Sequence, residues 1–381
     1  MTQSVLCSEL PTSNGLVIGL LTLNQADNLN ALNLEKVKVM LDQLTRWEAD
    51  ESVVAVCIQS SCERAFCAGG DIISMHQLIT QNPNQIQPDL VDFFAAEYRL
   101  DHFIHGYSKP IVVWADSIVM GGGVGLLVGA SHRVVTERSR LAMPEIAIGL
   151  FPDVGSTWFL NRVGRQIARF LMLTGSQMNG ADAVSLDLAD VQIPNTERPN
   201  VMARLASAAW ADATNHHELV SDVLKESSLD TSGRGWIEPR YNAIHALCLG
   251  DSLEDVAAQF AAYDGNDGWI KKAVSNFQYG SPITAHIIWR QLQYGGMPLA
   301  DCFRLELCIA AHCGSMGDLS EGIRALLIDK DRQPNWRFKS VSEVPASLID
   351  EMLACPWPAP LHPLADLDTL HQSLALVGTG E

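Results

Sequence analysis

Short apolar runs alternate with segments of helical periodicity over the first half of the chain, and this alternation restricts the fold more than any other feature. Strand-like runs occupy residues 16–23, 53–58, 110–114 and 133–136. Between the first two runs, apolar residues recur at the spacing of one helical face, at Val37, Met40, Leu41, Leu44 and Trp47. Such alternation is typical of parallel strands joined by helices, so it predicts an α/β fold rather than an all-β one.

Strand signals become rare after about residue 190. The later segments look helical and occupy residues 202–210, 242–249, 253–263, 282–292 and 299–313, with one further strand-like run at 325–328. Four prolines between positions 356 and 363 exclude a regular element from the tail, which we expect to lie on the surface as a strap. We therefore predict a core at 1–200, a mainly helical region at 201–345 and a proline-containing tail at 346–381.

An excess of acidic residues limits the partners that the chain can bind. Lys and Arg number 26 against 44 Asp and Glu, which gives a formal net charge of −18. That charge argues against nucleic acid or an anionic membrane as the main partner, although a few local donors would still hold a small anion. The longest apolar run, residues 118–130, contains five glycines and is too short to cross a bilayer.

The cysteines and the first residues bear on the compartment. The nine cysteines form no C-x-x-C pair, and residues 1–15 lack the features of a secretory signal or an organelle transit peptide. Free thiols are typical of a reducing compartment, so we expect a cytoplasmic protein. No group of His and Cys has the spacing of metal ligands, and the sequence predicts no metal.

Two glycine-rich segments each follow a strand-like run, at residues 68–71 (AGGD) and 121–125 (GGGVG). Glycine lets a backbone N–H approach a ligand closely, and two such donors on one oxygen would form an oxyanion hole, worth roughly 10²–10³ in rate per donor. Tight turns or close helix packing would need the same residues, so both interpretations stay open. Neither segment matches a dinucleotide fingerprint or a phosphate loop, and the chain has no G-x-S-x-G elbow.

A third segment, residues 142–155 (AMPEIAIGLFPDVG), places Glu145 and Asp153 among apolar neighbours. Burial among such neighbours raises the pKa of a carboxyl group, and two carboxyls in unequal environments can divide acid and base roles. Two ordinary acids on a surface loop are the alternative. Cys67 lies beside the first glycine segment, but no histidine is near it in sequence, so we expect a packed thiol rather than a nucleophile.

Taken together, these segments resemble the crotonase (enoyl-CoA hydratase/isomerase) superfamily over roughly residues 14–190. The motifs are AFCAGGD at 65–71, GGG at 121–123 and MPE at 143–145. The chain is most similar to the 3-hydroxyisobutyryl-CoA hydrolase branch, and this likeness extends to about residue 345. It includes FFxxEY at 93–98, MGGGVG at 120–125, PExAIGLFPD at 144–153, SP at 281–282 and EGIRALLIDK at 321–330.

The resemblance implies a spiral of ββα turns with a helical C-terminal region, and a thioester substrate that carries CoA. It implies that the N–H groups of Gly70 and Gly122 form the oxyanion hole, and that Ala68 lies against the adenine or pantetheine of CoA. Arg64 is expected near the CoA phosphates. CoA enters as part of the substrate, so no separate cofactor is implied.

One departure from the superfamily pattern bears on the reaction. Hydratases of this group carry a glutamate two residues after the third glycine, and this chain has Gly125 there. With one of the two hydratase carboxylates absent, efficient addition of water to a double bond is not expected. Asp153 supplies a second carboxylate from another direction, a substitution that the hydrolase branch shares and that dienoyl-CoA isomerases share less closely.

The resemblance therefore implies hydrolysis of a short branched 3-hydroxyacyl-CoA, first of all 3-hydroxyisobutyryl-CoA in valine breakdown. Glu145 would attack the carbonyl or activate water, Asp153 would position water or the substrate hydroxyl, and Glu97 would bind the acyl end. Two alternatives stay open: an enoyl- or dienoyl-CoA isomerase, and an acyl-CoA-binding protein without catalysis. Assembly into a homo-oligomer, which is common in the superfamily, is also left open.

Overall fold

The computed structural model describes residues 3–13, 15–316 and 318–370. Within these residues the strands are β1 (Val5–Pro11), β2 (Val17–Leu23), β3 (Val53–Ser60), β4 (Ala65–Cys67), β5 (Ile111–Ala115), β6 (Ile118–Met120), β7 (His132–Val135), β8 (Arg140–Ala142), β9 (Met178–Asn179) and β10 (Val191–Gln192). They form a large sheet in the order β1-β2-β3-β5-β7-β10 and a small sheet in the order β4-β6-β8-β9. Neighbouring strands are parallel except in the pairs β1–β2 and β8–β9.

Helices follow the strands in the first half and dominate the second. The first group is α1 (Leu34–Ala49), α2 (Ile72–Gln81), α3 (Pro88–His105), α4 (Gly122–Val128), α5 (Ser156–Phe159), α6 (Arg165–Thr174) and α7 (Gly180–Ser185). The second group is α8 (Arg198–Ser207), α9 (His216–Lys225), α10 (Tyr241–Leu247), α11 (Leu253–Ala261), α12 (Gly268–Tyr279), α13 (Pro282–Gln291), α14 (Leu299–Met316), α15 (Asp318–Ile323) and α16 (Ala346–Leu353).

Successive strands alternate between the two sheets, which makes the core a spiral of ββα turns. β3, β5 and β7 belong to the large sheet, and β4, β6 and β8 belong to the small one. Helices α2 and α3 connect the first of these turns to the second, and α4 connects the second to the third. The α/β class, the crotonase-like spiral and the helical C-terminal region predicted from the sequence are thus confirmed.

Helix α1 shows how local sequence sets an element and its packing. Asn33 caps the helix, because its side chain accepts a hydrogen bond from the Lys36 N–H at 2.9 Å. The predicted apolar face is buried except for the half-buried Leu41, and its last member, Trp47, packs against Gly19 of β2. A methyl group on Gly19 would lie 2.7 Å from the indole ring, so only glycine permits this approach of helix to sheet.

The strand predicted at residues 325–328 is wrong, because Arg324–Ile328 forms a π-helical turn directly after α15. A short apolar run does not by itself distinguish a strand from a helical segment. Arg324 stabilises the turn through ion pairs, including those with Glu321 and Asp331 at 2.8 and 2.7 Å. The sequence pattern also does not single out β1, whose residues are mostly exposed and which pairs with β2 at the sheet edge.

The tail is attached by polar and apolar contacts to α3 of the core and, through the ion pair of Arg304 with Asp368, to α14 of the helical region. Leu364, Leu367 and Leu370 are buried, and Arg99 of α3 pairs with Asp366 at 2.8 Å. The proline-rich stretch holds only a 3₁₀ turn, Ala359–Leu361, but the expectation of a tail without a regular element is wrong for 346–353, which form α16 ahead of the first of these prolines. The domain boundaries stay a prediction, and residues 371–381 lie outside the described part. Within the described ranges, no helix combines the length and apolar character that crossing a bilayer requires.

Replacing Gly19 with alanine is expected to destabilise the protein by about 1–3 kcal/mol, the usual cost of overpacking a tight core. The added methyl would overlap the Trp47 ring unless α1 moved away from β2. Gly268→Ala is the matched control, because a methyl there has no neighbour within 4 Å. Urea unfolding midpoints of the two variants measure the effect, and equal midpoints would contradict this packing.

Candidate active site

Three parallel strands of the small sheet end at the same edge and place three segments side by side. Gly70 follows β4, Gly122 follows β6, and Glu145 follows β8. Carboxyl ends of parallel strands commonly form ligand sites. Here the segments line one cavity of about 530 Å³. Its other walls come from the loop after β2, α3 and the π-helical turn, and include Leu29, Phe94, Glu97 and Leu326.

The glycines at 121 and 122 are required for two different reasons. Gly121 has a φ of 50°, in the left-handed region that side chains disfavour, and a methyl there would also lie 3.1 Å from Glu145 Oε1. A methyl on Gly122 would collide with Glu97 Oε1. Gly122 is the first residue of α4, where a helix N–H has no acceptor within its own helix. Its N–H is therefore free to bind an oxygen in the cavity.

Gly70 lines the same cavity and carries a second backbone N–H. The preceding Gly69 has a φ of 99°, and a methyl on Gly70 would lie 2.9 Å from the Met75 methyl group. Within the described residues, no acceptor takes the N–H of Gly70 or Gly122. Close packing explains Gly123 instead, because a methyl there would lie 2.6 Å from the Cys67 carbonyl oxygen. Close packing therefore accounts for Gly123, whereas the oxyanion-hole interpretation of Gly70 and Gly122 stays a prediction that their N–H groups without acceptors are compatible with.

Three buried carboxylates face the cavity. Glu97, Glu145 and Asp153 all line it, and each is at most 5% exposed. Tyr98 donates a hydrogen bond from its hydroxyl to Asp153 Oδ2 at 2.8 Å. Glu97 Oε1 and Glu145 Oε2 have no hydrogen-bond partner among the described residues. Buried acceptors without partners are rare in folded proteins, so these two oxygens are available to a ligand.

Burial raises the pKa of all three carboxyl groups, but to different degrees. It raises the pKa of Glu145 well above its usual range, and the nearby Asp153 charge adds to this. The pKa of Glu97 is raised by the same two causes. Burial raises the pKa of Asp153 to about 7, while the Tyr98 hydrogen bond opposes the rise. Pairs of carboxyls in unequal environments are the usual arrangement for acid and base roles.

The loop that carries Asp153 occupies the space beside Gly125. A methyl on Gly125 would lie 2.7 Å from Val154 Cβ and 2.8 Å from Asp101 Oδ2. A glutamate at this position would therefore clash with both groups. Asp101, which the sequence analysis does not single out, is buried and lies one helical turn after Glu97, and both of its oxygens lack partners in the described structure. The four-residue spacing of Glu97 and Asp101 in an otherwise apolar helix is the sequence signal that places both acids on one helical face.

Residues of the C-terminal helices hold the turn that begins at Glu145. This residue opens the 3₁₀ helix Glu145–Ile148. The Ser281 N–H donates to the Ile146 carbonyl at 3.0 Å, and the Ser281 hydroxyl donates to Asp318 Oδ2 at 2.6 Å. A methyl on Gly149 would lie 2.5 Å from the Asp318 backbone. The second half of the chain is therefore part of the site's framework.

Arg64 is not brought to the site. It is exposed and precedes β4, whereas Ala68 and Gly70 follow that strand. The three residues of β4 thus separate Arg64 from the cavity edge, and Arg64 does not line the cavity. Ala68 does line it, beside Gly69 and Gly70, as expected for a residue that contacts the CoA part of a substrate.

Cysteine chemistry is not built into this cavity. Cys67 is fully buried, and burial raises the pKa of its thiol to about 12, so the packed-thiol interpretation holds.

Elsewhere in the described chain, ligand atoms of Cys308, Cys355 and His362 lie within 4.8 Å of one another. However, His362 Nδ1 accepts the Leu364 N–H at 3.0 Å, which fixes the proton on Nε2, the nitrogen that faces Cys308.

Comparison with known proteins identifies the family. The sequence profile described as enoyl-CoA hydratase/isomerase matches residues 18–353. The chain belongs to the enoyl-CoA hydratase/isomerase family. One relative, from Gallus gallus and named 3-hydroxyisobutyryl-CoA hydrolase, mitochondrial, is 33% identical over 87% of this chain and 85% of its own.

Members of this family with similar sequences carry different names. A Neurospora crassa relative named small ribosomal subunit protein mS47 is 32% identical over 85% of this chain and 66% of its own. The crystal structure of an enoyl-CoA hydratase from Rhodobacter sphaeroides 2.4.1 has a TM-score of 0.80 and 31% identity, and the match covers 93% of this chain and 98% of that one. The family and the crotonase fold are established, and the reaction has to be argued from the site.

Tyr98→Phe is expected to move the acid limb of the pH–rate profile for acyl-CoA turnover to higher pH. The role that the resemblance implies for Asp153, positioning water or the substrate hydroxyl, requires its ionised carboxylate, so activity is expected to rise with pH through its pKa of about 7. Loss of the Tyr98 hydrogen bond would raise that pKa further, by about one unit. Profiles of kcat/KM measure the shift. Tyr107→Phe is the control, because that hydroxyl donates to Leu44. An unmoved limb in Tyr98→Phe would contradict the assignment.

Proposed function

We propose that the protein hydrolyses the thioester of a short branched 3-hydroxyacyl-CoA, with 3-hydroxyisobutyryl-CoA of valine breakdown as the first candidate. The observation that carries the proposal is the placement of Asp153, whose loop fills the space beside Gly125. A hydratase of this family would carry its second glutamate at that position. The relative named 3-hydroxyisobutyryl-CoA hydrolase supports the same choice.

The reaction begins with the thioester carbonyl oxygen between the N–H groups of Gly70 and Gly122. Charge develops on this oxygen as the carbonyl carbon becomes tetrahedral, and each preorganised donor contributes roughly 10²–10³ in rate. Glu145 either attacks the carbonyl carbon to form a mixed anhydride or removes a proton from the attacking water. In both routes the C–S bond breaks, the sulfur leaves as CoA thiol after taking a proton, and water supplies the second oxygen of the acid.

The acyl end of the substrate is held by carboxylate oxygens. A hydroxyl on carbon 3 would donate to Glu97 or Asp153, which both line the cavity. The unpartnered Glu97 Oε1 gives such a hydroxyl an acceptor that an unsubstituted acyl chain would leave unused. The pantetheine arm of the bound substrate would extend past Ala68 and Leu326 toward the cavity mouth. CoA is substrate here rather than cofactor, and we keep the cytoplasmic location as part of the proposal.

Two other functions have a specific observation in their favour. Glu145 and Asp153 are both acids with raised pKa values in one cavity, which also suits proton transfer at carbon in an enoyl- or dienoyl-CoA isomerase. The relative named as a ribosomal protein favours a scaffold that has no reaction. The scaffold leaves the free oxygens of Glu97 and Glu145 without a role.

Thiol release from 3-hydroxyisobutyryl-CoA, followed with DTNB, is the test of the proposal. Glu145→Gln is expected to lower turnover below detection while CoA-ester affinity stays largely intact, because the amide neither attacks nor accepts a proton. Glu51→Gln, an exposed acid outside the cavity, is the matched control. Full activity in Glu145→Gln would contradict the catalytic role proposed for Glu145.

Parallel measurements separate the alternatives. Loss of the enoyl absorbance of crotonyl-CoA without thiol release would indicate hydration. Entry of solvent deuterium into an acyl chain without thiol release would indicate isomerisation. Equal CoA-ester affinity in wild type and Glu145→Gln, with turnover by neither, would indicate a scaffold.

Gly122→Ala is expected to lower kcat by about 10²–10³, because the methyl displaces Glu97 and the backbone N–H from the carbonyl oxygen. Gly296→Ala is the control, because a methyl there has no neighbour within 4 Å. Thiol release and circular dichroism are measured on both variants. A folded Gly122→Ala protein with normal kcat would exclude this donor from the oxyanion hole.

A further inference from the structure

One buried acid of the C-terminal region is not used by the proposed reaction but contacts its machinery. Glu306 of α14 has no exposed surface and does not line the cavity. Its Oε2 accepts the Gly155 N–H at 2.7 Å, and its Oε1 accepts the Thr157 N–H at 2.9 Å. Both carboxylate oxygens of Glu306 therefore accept hydrogen bonds from the loop that carries Asp153, about 150 residues away in the chain.

The loop that Glu306 holds has an unfavourable backbone. Val154 has a φ of 52° and Gly155 a φ of 85°, so both lie in the left-handed region. For a β-branched residue such as Val154 this conformation is a genuine outlier. Strain of this kind persists only where surrounding contacts determine the conformation, and it is typical of functional sites. The residue next to Val154 is Asp153, whose carboxylate the reaction uses.

A second side chain holds the other end of the same loop. Gln291 of α13 donates from Nε2 to the Pro152 carbonyl at 2.8 Å and to Thr157 Oγ1 at 2.9 Å. The Ser156 hydroxyl also donates to the Pro152 carbonyl. Asp153 thus lies between two residues fixed by the C-terminal helices, while Tyr98 orients its carboxylate from α3.

We propose that Glu306 is a positioning residue for the reaction: it clamps the strained Asp153 loop from α14 and so keeps the Asp153 carboxylate facing the cavity. The inference rests on the proposed function, because it requires that the Asp153 carboxylate takes part in turnover. Glu306 does not touch the substrate and acts through Asp153.

The chemistry of the contact requires a carboxylate of this length. The two loop donors are backbone N–H groups, and their hydrogen bonds favour the ionised carboxylate, which offers acceptors only, while burial raises the pKa of Glu306 to about 8, so the variants are compared above that pH. In Glu306→Gln the amide NH₂ would face one of the two donors, which would break one hydrogen bond and push the loop away. Glu306→Asp keeps the acceptors, but its shorter side chain reaches only one N–H. The titratable groups around Glu306 are Tyr98, Asp101, Asp153 and Cys302.

A double-mutant cycle on turnover of 3-hydroxyisobutyryl-CoA tests the inference. Glu306→Gln is expected to lower kcat by about 10²-fold with KM within about twofold, the loss expected for a misplaced catalytic group. Glu306→Asp is expected to fall between this variant and wild type. In an Asp153→Asn background, Glu306→Gln should cause no further loss, because the group through which it acts is already absent. Glu351→Gln, an exposed acid of α16, is the control.

The outcomes are distinguishable. An equal loss of kcat with and without Asp153 would show a general structural effect and overturn the inference, as would normal kcat in both Glu306 variants. If Glu306→Gln does not fold, the cycle is run with Glu306→Asp. If the wild-type protein releases no thiol, the proposed function fails, and the carboxyl ¹³C signal of Asp153 then decides the positioning role: its pKa should change in Glu306→Asp, and an unchanged pKa would overturn the clamp.

Discussion

Three carboxyl groups are buried together in one cavity, and their desolvation is the constraint on which the site depends. Glu97, Glu145 and Asp153 line the cavity together, and among the described residues that line it there is no Lys, Arg or His. Without a cation to offset burial, all three pKa values rise, and the Asp153 charge raises those of Glu97 and Glu145 further. Of the three, Asp153 receives the Tyr98 hydrogen bond, which opposes the rise of its pKa, so the three carboxyl groups differ in proton affinity.

The two halves of the chain divide the work of building this arrangement. The spiral core supplies the edge at which β4, β6 and β8 end, and therefore the two glycine N–H groups and the start of the Glu145 turn. The helical half then holds both acidic turns through buried polar contacts, with Ser281 and Asp318 at the Glu145 turn and Glu306 and Gln291 at the Asp153 loop. The C-terminal helices consequently determine the positions of both acidic turns in the site.

Features that depend on neighbouring residues can be predicted from the sequence, whereas contacts between residues far apart in the chain cannot. Strand and helix alternation is a local pattern and led correctly to the fold; the residues singled out by local motifs, Glu145 and Asp153, line one cavity, and their roles stay predictions. The clamp by Glu306 joins positions about 150 residues apart and has no local signature. Arg64, assigned to the CoA phosphates from the resemblance alone, does not line the cavity, and its contact with CoA stays a prediction. The domain boundaries, the location and the oligomeric state stay predictions.

Titration of the Asp153 carboxyl carbon by ¹³C NMR tests the central claim most directly. Protein labelled at the aspartate carboxyl carbon gives the signal, and the spectrum of Asp153→Asn assigns it. Burial without a cationic partner predicts a pKa of about 7 for this group. A value near the ordinary aspartate pKa of about 3.9 would show that the site is solvated or charge-compensated, and would contradict the account.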